Sequence, residues 1–490
     1  MRESGILMPV SSIPSKYGIG CFSKEAFEFI DFLVAAGQKM WQVLPLGPTS
    51  YGDSPYQSFS TFAGNPYFID LEALIGCGLL SYEECDACDF GEDEKSVDYE
   101  ALYKSRYKVL KKAFRRFTSN REYETFVEEN KDWLDDYSMY MAIKDVHEGK
   151  SWDQWPKALR QRDPAELCKV QIELKDDIEF YRFLQYMFHK QWKNLHEYAN
   201  KKGISIIGDI PIYIAYDSAD AWANPALFEL DEDLKPIIVA GCPPDAFSKT
   251  GQLWGNPIYA WDYHKKTGYA WWLKRMRQCM QMYDVIRVDH FRGFDEYYTI
   301  PYEDETAEHG AWKKGPGMDL FAVIQKEMPN TRVIAEDLGF ITDTVIKLVH
   351  DTGYPGMKVL QFAFDSREES DYLPHNYDKN CVVYTGTHDN DTIRGWYDTM
   401  DPEDRKLSVR YMNNATTPRS EIHWDFIRMA MASVANLCII PVQDYLGLGT
   451  EARINIPSTL GGNWTYRLEK GQLTEELAGK IKKMTKLYGR

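Results

Sequence analysis

The sequence predicts an α/β fold of the (β/α)8 barrel type, and two observations lead to this prediction. Eight short apolar or β-branched runs recur along the chain, and segments with helical periodicity separate them. The sequence also lacks a glycine-rich phosphate loop, which favours the barrel over its rival, a doubly wound sheet. With 490 residues, of which 44% are hydrophobic, the chain is long enough to form a barrel with insertions as one unit.

The predicted strands and helices alternate in the order that a barrel requires. The strands are residues 5–10, 39–46, 204–213, 284–291, 332–339, 356–365, 381–389 and 437–446. Three of the intervening segments, 23–38, 178–203 and 342–353, carry apolar residues at helical spacing and are closed by a glycine. The pattern therefore indicates parallel strands connected by helices.

Two segments do not fit the simple repeat, and we expect both to be insertions in a single catalytic unit that covers residues 1–490. Residues 51–175 follow the second strand and combine turn-rich sequence with charged helices, which predicts an inserted subdomain. Residues 214–265 follow the third strand and are rich in Pro, Gly, Trp and Asp. Because loops this long in a compact domain are usually functional, we expect the second insertion to belong to the active site.

The charge balance and the hydropathy exclude several classes of protein. Asp and Glu number 74 against 57 Lys and Arg, and the net charge of −17 argues against partners such as nucleic acid or an anionic membrane. No window approaches the ~20 consecutive apolar residues of a membrane span, and the first twelve residues lack the apolar region of a signal peptide. We expect a cytoplasmic protein with a neutral substrate, either monomeric or homo-oligomeric.

The cysteines do not indicate a metal or redox cofactor. There are nine, widely scattered, and Cys85 and Cys88 form one Cys-x-x-Cys pair. No second pair with zinc-ribbon spacing follows, and the flanking sequence is acidic. We interpret the pair as two reduced thiols and expect no cofactor.

The aromatic content suggests the kind of substrate. The chain has 14 Trp, 32 Tyr and 23 Phe, and many of them lie in polar segments rich in Gly and Pro. A pyranose stacks its C–H face on an aromatic ring and presents hydroxyls to carboxylates and amides, so this composition suits sugar binding. The alternative is that these rings serve only to pack loops.

Acidic residues and histidines stand where the predicted strands end. They are Asp209, Asp289 with His290, Glu336 with Asp337, Asp365, His388 with Asp389, and Asp444. The carboxyl ends of barrel strands meet at one rim, so we expect several of these side chains to face the same cleft.

Such a cluster has three candidate uses, which the residues alone leave open. Two carboxyls can flank a glycosidic bond as nucleophile and general acid/base. Asp389, Asp391 and the histidines are plausible ligands of a divalent metal. Asp337 and Asp391 are also plausible helix caps.

The neighbours of two carboxyls favour the first use. Asp289 follows Arg287 by two residues, so a cation on the same strand face favours the ionised form that a nucleophile needs. Glu336 follows an apolar run, where desolvation would raise its pKa as a general acid requires.

Three segments resemble the catalytic motifs of the amylomaltase family, the 4-α-glucanotransferases related to α-amylases. They are "VIRVDHFRG", "VIAEDLG" and "TGTHDNDT". Segments 45–66, 208–213, 243–257 and 455–464 resemble other signatures of that family. The resemblance covers nearly the whole chain in the family's order and leaves only about residues 80–175 uninformative.

The resemblance implies a role for each matching residue. Asp289 is expected to be the nucleophile, Glu336 the general acid/base and Asp389 the stabiliser of the transition state. The implied substrate-binding residues are Tyr51, Asp209, Gln252, Trp254, Arg287, His290, Asp365, His388, Asn455 and Asn463. No metal is implied, because the family's site works without one.

The implied reaction is the transfer of α-1,4-glucan segments to the 4-hydroxyl of another glucan or of glucose, with a covalent glycosyl-aspartate intermediate. The alternatives are an α-1,4-glucan hydrolase with an open, wet acceptor side, and a carbohydrate-binding protein without catalysis. The chain departs from the family's pattern at Ala246, Lys249 and Ser458, all in loops expected on the acceptor side. These departures bear on acceptor preference and product size, which the sequence does not define.

Overall fold

The computed structural model describes residues 2–50, 52–244, 248–339 and 341–490. The strands in these ranges are β1 Glu3–Leu7, β2 Met40–Gln42, β3 Ser205–Pro211, β4 Ile238–Cys242, β5 Gln252–Pro257, β6 Val285–Asp289, β7 Glu296–Pro301, β8 Ala311–Lys314, β9 Val333–Ala335, β10 Gly356–Val359, β11 Cys381–Tyr384 and β12 Leu437–Pro441.

The α-helices in the same ranges cover the barrel and form most of the first insertion. They are α1 Lys24–Ala35, α2 Leu71–Gly76, α3 Tyr82–Asp86, α4 Tyr99–Arg116, α5 Arg121–Val146, α6 Lys157–Arg160, α7 Pro164–Glu173, α8 Lys175–Lys201, α9 Ala219–Ala223, α10 Trp261–Lys266, α11 Ala270–Met282, α12 Met318–Glu327, α13 Asp343–Thr352, α14 Ile393–Thr399, α15 Pro402–Met412, α16 Ile422–Ala432, α17 Val442–Leu446 and α18 Glu475–Leu487. No helix in the described part of the chain combines the length and apolarity needed to cross a membrane.

Eight strands form the barrel, and the predicted fold class is confirmed. Their order around the sheet is β10, β11, β12, β1, β2, β3, β6 and β9, and each adjacent pair is parallel. Each of the eight predicted runs overlaps one of these strands; seven runs contain the whole strand, and β1 begins two residues before its run. The strands are shorter than the runs, because the ends of the runs form the turns that lead to the helices.

The two faces of the barrel strands pack in different places, as the period of two along a strand requires. Ile207, Val285 and Val382 point to a cluster inside the barrel, and their neighbours Ile206, Ile286 and Val383 join the larger core between strands and helices. Because both faces are buried, these strands appear in the sequence as continuous apolar runs rather than alternating ones.

The barrel closes between β9 and β10, where a side chain contributes to the closure. The N–H of Ala335 donates to the Pro355 carbonyl at 2.9 Å, and the N–H of Met357 donates to Asp337 Oδ1 at 2.7 Å. A Cβ on Gly356 would lie 2.3 Å from Asp337 Oδ2, so only glycine permits this approach. Asp337 therefore binds the neighbouring strand rather than capping the next helix.

The first insertion packs on the barrel through its long helices. α5 packs along α8, and Leu110, Trp133 and Tyr137 belong to the same apolar core as the barrel helices. Lys144 of α5 is buried and donates to Asp217 Oδ2 at 2.6 Å, so the first insertion also contacts the second. The limits of the two insertions stay predictions.

The segment after β3 contains a feature that the sequence pattern did not indicate. β4 and β5 join β7 and β8 in a small antiparallel sheet with the order β5, β4, β7, β8. Its central ladder pairs residues 238–241 with residues 298–301. A local pattern cannot reveal such a pairing, because its two strands lie about sixty residues apart. The sheet holds β5, which carries Gln252 and Trp254, next to the barrel rim.

We predict that Gly356→Ala lowers the free energy of unfolding by about 1–3 kcal/mol, because the new methyl group pushes Asp337 away from the β9–β10 closure. The matched control is Gly479→Ala inside α18, where a Cβ meets nothing within 4 Å and helix propensity should add about 0.5–1 kcal/mol. Urea unfolding, monitored by tryptophan fluorescence, measures the free energy of unfolding of both variants. Equal midpoints for the two variants would show that Asp337 does not hold the closure.

Candidate active site

A cleft of about 700 Å³ opens at the carboxyl ends of the barrel strands. Its acidic and histidine lining residues are Asp289, His290, Glu336, His388 and Asp389. Gln252, Leu253 and Trp254 line it from β5, and residues 455–460, 463 and 464 line it from the segment after β12. Acidic side chains from three strands therefore meet aromatic and amide side chains from two loops.

One guanidinium lies between two carboxylates beside the cleft. Arg287 Nη1 donates to both carboxylate oxygens of Asp209 at 2.7 Å and to Asp289 Oδ1 at 3.0 Å. Asp209 is fully buried, whereas the Asp289 side chain is 29% exposed and faces the cleft. The Arg287 cation is therefore bound by the buried Asp209 carboxylate on one side and by the cleft-facing Asp289 carboxylate on the other.

The strand registers place these three groups together. Arg287 and Asp289 are two residues apart on β6 and so project from the same face. Asp209 of β3 is the register partner of Arg287 in the parallel ladder. The sequence identified the first relation, and only the pairing of β3 with β6 creates the second.

Burial raises the pKa of the Asp289 carboxyl to about 6, because the Arg287 cation opposes the desolvation only in part and the Asp209 charge adds to it. The sequence suggested that Arg287 alone would favour the ionised form. The structure adds a buried second carboxylate that shares this cation. Asp289 is thus ionised at neutral pH but gains a proton in mild acid.

Glu336 follows β9 and receives two backbone hydrogen bonds. The N–H of His290 donates to Oε2 at 2.7 Å, and the N–H of Leu338 donates to Oε1 at 2.8 Å. Burial and the nearby Asp289 charge raise the pKa of Glu336 to about 8, although the two N–H groups oppose the rise. At neutral pH Glu336 is therefore protonated while Asp289 is ionised.

Asp389 reaches the cleft from the segment after β11. Asn455 Nδ2 donates to Asp389 Oδ1 at 2.6 Å, and His388 Nε2 lies 3.4 Å from the same oxygen. The Asp389 side chain is 44% exposed, so its carboxylate is open to a ligand. The cleft thus contains three carboxyl groups with three different sets of partners.

Tyr56 is a site residue that the sequence reasoning missed. Its ring stacks on His388 at 5.1 Å with 17° between the planes, and its hydroxyl donates to Asp209 Oδ2 at 2.9 Å. The expected aromatic platform, Tyr51, lies outside the described residues. Tyr56 lies in the same polar, aromatic segment as Tyr51, and this composition was the only sequence signal that could have indicated it. Its position in the site depends on His388, which follows β11.

Two predicted substrate-binding residues lie elsewhere than expected. Asp209 is enclosed behind the cleft, where its oxygens accept from Arg287 and Tyr56 rather than facing a ligand. β10 ends at Val359 and a 3-10 turn follows, which leads Asp365 away from the strand end. Asp365 is not among the cleft-lining residues, and Arg367 donates to it at 2.6 Å and 2.8 Å.

Apart from Tyr51 and the buried Arg287, the remaining predicted residues line the cleft, but some of their polar atoms already have partners. Trp254 Nε1 donates to Gln252 Oε1 at 3.1 Å, and the Trp254 ring meets His290 edge-on at 4.9 Å. Asn463 accepts from the N–H of Ile456 at 2.9 Å and donates to Thr459. Asn463 therefore supports the shape of its own loop.

The loop that Asn463 supports forms one wall of the cleft. Ile456 and Leu460 are 46% and 97% exposed, so apolar side chains stand open beside the carboxylates. Ser458, one of the departures from the family pattern, has a left-handed backbone with φ of 64°, a conformation that glycine adopts without strain. Of the other departures, Lys249 lies in a turn before β5 and Ala246 lies outside the described residues.

Each of the three cleft carboxyls accepts at least one hydrogen bond from within the protein. Asp289 is held by Arg287, Glu336 by two N–H groups and Asp389 by Asn455. In the part of the chain that the structure describes, no group of three or more His, Cys, Asp or Glu side chains is arranged to hold a metal ion.

Comparisons with known proteins identify the family of this chain. A family model described as 4-alpha-glucanotransferase matches residues 8–474. The 4-alpha-glucanotransferase of Clostridium butyricum is 51% identical over 99% of this chain and 100% of its own length, and that of Thermus thermophilus is 46% identical over 99% and 98%. The structure of an amylomaltase from Streptococcus agalactiae in complex with acarbose has 42% sequence identity and a TM-score of 0.97, with both chains fully covered. The resemblance of the motifs is thereby confirmed, and the chain belongs to the 4-alpha-glucanotransferase family.

Proposed function

We propose that this 4-alpha-glucanotransferase moves α-1,4-glucan segments from a donor to the 4-hydroxyl of an acceptor glucan or glucose by a retaining double displacement. The observation that carries the proposal is a pair of neighbouring carboxyls with different partners: Asp289 accepts from the Arg287 guanidinium, and Glu336 accepts from two backbone N–H groups. These surroundings raise the pKa of Glu336 to about 8 and that of Asp289 only to about 6, so Asp289 ionises more readily than Glu336. A nucleophile and a proton donor are what the first half of this reaction needs.

In the first half, Asp289 attacks the anomeric carbon while Glu336 protonates the departing oxygen. The bond between the anomeric carbon and that oxygen breaks, and a glycosyl-aspartate ester forms. Positive charge develops on the sugar ring in the transition state, and the exposed carboxylate of Asp389 is placed to stabilise it. The Tyr56 ring, fixed by His388 and Asp209, supplies a face on which the sugar can stack.

In the second half, Glu336 has lost its proton and acts as base. It takes the proton of the incoming hydroxyl, whose oxygen attacks the anomeric carbon and releases Asp289. A 4-hydroxyl of another glucan gives transfer, and water gives hydrolysis. Trp254 on one side and Ile456 and Leu460 on the other provide apolar surface that disfavours water and suits the C–H face of a sugar.

The substrate in this proposal is a malto-oligosaccharide or longer α-1,4-glucan. That the Streptococcus agalactiae amylomaltase forms a complex with acarbose supports binding of such sugars. A cytoplasmic location is part of the proposal, and it rests on composition and charge.

Incubation with maltotriose tests the proposed function. Transfer yields a ladder of longer glucans, hydrolysis yields only shorter ones, and a binding protein leaves the sugar unchanged. We expect a ladder, and we expect Asp289→Asn and Glu336→Gln to abolish both longer and shorter products. A fluorinated donor that traps the intermediate, followed by peptide mass spectrometry, should label Asp289. A wild-type enzyme that makes only shorter sugars would replace transfer by the hydrolase alternative.

The retaining mechanism predicts the separation of the two carboxyl groups. With a sugar bound, the carboxyls of Asp289 and Glu336 should lie about 5–5.5 Å apart, as retaining enzymes require. A crystal structure of a sugar complex measures this distance. A separation of about 6.5 Å or more would instead leave room for water and indicate inversion.

The pH dependence of kcat/KM should be bell-shaped. Activity should rise through pH about 6 as Asp289 loses its proton, and fall through pH about 8 as Glu336 loses its own. Asp209→Asn removes a charge that raises the pKa of Asp289, so its acid limb should move to lower pH. Asp319→Asn at a surface ion pair with Lys265 is the control. An acid limb that stays in place in Asp209→Asn would contradict this account of Asp289.

Trp254→Ala should impair transfer more than hydrolysis. Losing the stacking of one acceptor sugar amounts to about 1 kcal/mol, or several-fold in acceptor binding. Trp312→Ala is the matched control, because Trp312 is on the far edge strand of the same small sheet and is 40% exposed. The ratio of hydrolysis to chain-lengthened product from maltotriose should rise only in Trp254→Ala. If both products fall in equal proportion, Trp254 only covers the cleft.

Chelation should leave the activity intact. The three cleft carboxyls accept hydrogen bonds from Arg287, backbone N–H groups and Asn455, and among the described residues no cluster of three or more His, Cys, Asp or Glu side chains could hold a metal ion. The measurement is the rate of maltotriose disproportionation after dialysis against EDTA. Loss of activity that Ca²⁺ or Mg²⁺ restores would reinstate the metal-site alternative.

A further inference from the structure

Asp389 is held by a short segment that follows β12, residues 453–455. Asn455 donates to the Asp389 carboxylate from its side chain, and its own N–H donates to the His388 carbonyl at 3.1 Å. Arg453 Nη2 donates to the Asp389 carbonyl at 2.6 Å. The backbone and the side chain of the third carboxylate thus depend on one neighbouring segment.

The Arg453 guanidinium connects Asn455 with Asp389. Its Nε donates to the Asn455 carbonyl at 2.8 Å while its Nη2 binds Asp389. The guanidinium is planar and holds its N–H groups in a rigid fork, so it sets the distance between the two carbonyls. A lysine ammonium has no such fork and cannot set this distance.

The same segment continues directly into a wall of the cleft. Asn455 is followed by the loop 456–463, and Ile456 is bound through its N–H to Asn463. A movement of the backbone at Asn455 is therefore transmitted to Asp389 on one side and to the wall on the other.

We propose that Arg453 is a positioning residue for the transfer reaction, which holds Asp389 and the loop 456–463 as one unit. This inference rests on the proposed function, because it gives Asp389 a role in the transition state and the loop a role beside the acceptor. Arg453 itself touches no reacting atom. It acts through Asp389, whose carboxylate is nearly half exposed and takes its orientation from Asn455 and His388.

The test compares three variants with the wild-type enzyme. Arg453→Met keeps an unbranched side chain that reaches about as far as the Nε position and removes every donor. Arg453→Lys keeps the charge without the fork. Arg405→Met is the matched control, because Arg405 is also partly buried and donates to backbone carbonyls, those of Tyr397, Asp398 and Met400, but lines no part of the cleft. The readouts are kcat, KM and the hydrolysis-to-transfer ratio with maltotriose, each normalised to folded enzyme.

We expect kcat of Arg453→Met to fall about tenfold or more with KM changed less than about threefold, because the transition state loses more than the bound ground state does. The hydrolysis share should rise several-fold as the wall loosens. Arg453→Lys should lie between this variant and the wild type. Arg405→Met should keep the wild-type values of all three readouts, whatever it does to the melting temperature.

Two results would overturn the proposal while the function stands. One is an Arg453→Met enzyme with the kcat and product ratio of Arg405→Met. The other is a rise in KM with kcat unchanged, which would make Arg453 a contributor to substrate binding alone. If Arg453→Met does not fold, Arg453→Lys decides, and wild-type kcat and product ratio in that variant overturn the proposal. A wild-type enzyme that makes no longer glucans would instead refute the function on which the inference rests.

Discussion

The site depends on one buried charge arrangement, the Arg287 guanidinium between Asp209 and Asp289. An unpaired charge at this depth would be strongly unfavourable, so each of the three groups requires the others. Asp209 is completely enclosed and balances the cation. Asp289 faces the cleft and shares what is left of that cation, which makes its ionised form accessible in an apolar surrounding. In the proposed mechanism the nucleophile Asp289 is therefore supported by the buried Arg287–Asp209 pair behind it.

The preference of Glu336 for its neutral form depends in part on Asp289. Glu336 stands near the Asp289 charge and in a poorly solvated place, and both effects favour its neutral form. The backbone N–H groups of His290 and Leu338 fix its orientation. The proposed division of attack and proton transfer between these two acids follows from their different surroundings, although their chemistry is nearly the same.

The barrel explains how these groups meet. Its parallel strands all end at one rim, and the segments after the strands extend the rim into walls. The wall after β12 is bound to Asp389, and the wall from the small antiparallel sheet carries Trp254 against His290. In this arrangement the residues proposed to stabilise the transition state and those proposed to receive an acceptor share direct contacts. Such contacts suit an enzyme whose products depend on which hydroxyl reaches the intermediate.

The sequence by itself determined the barrel, its eight strands and the acidic residues at the rim. These follow from local information, since apolar runs, helical spacing and motif residues need no knowledge of distant partners. Only the tertiary structure decided that Asp209 sits behind Arg287, that Tyr56 stacks on His388, and that Asp337 closes the barrel. It also led Asp365 away from its strand end to Arg367, and paired β4 with β7. Each of these features depends on which strands become neighbours and on the path of the turn that follows a strand. A contact between residues distant in sequence leaves no local sequence pattern from which it could be predicted.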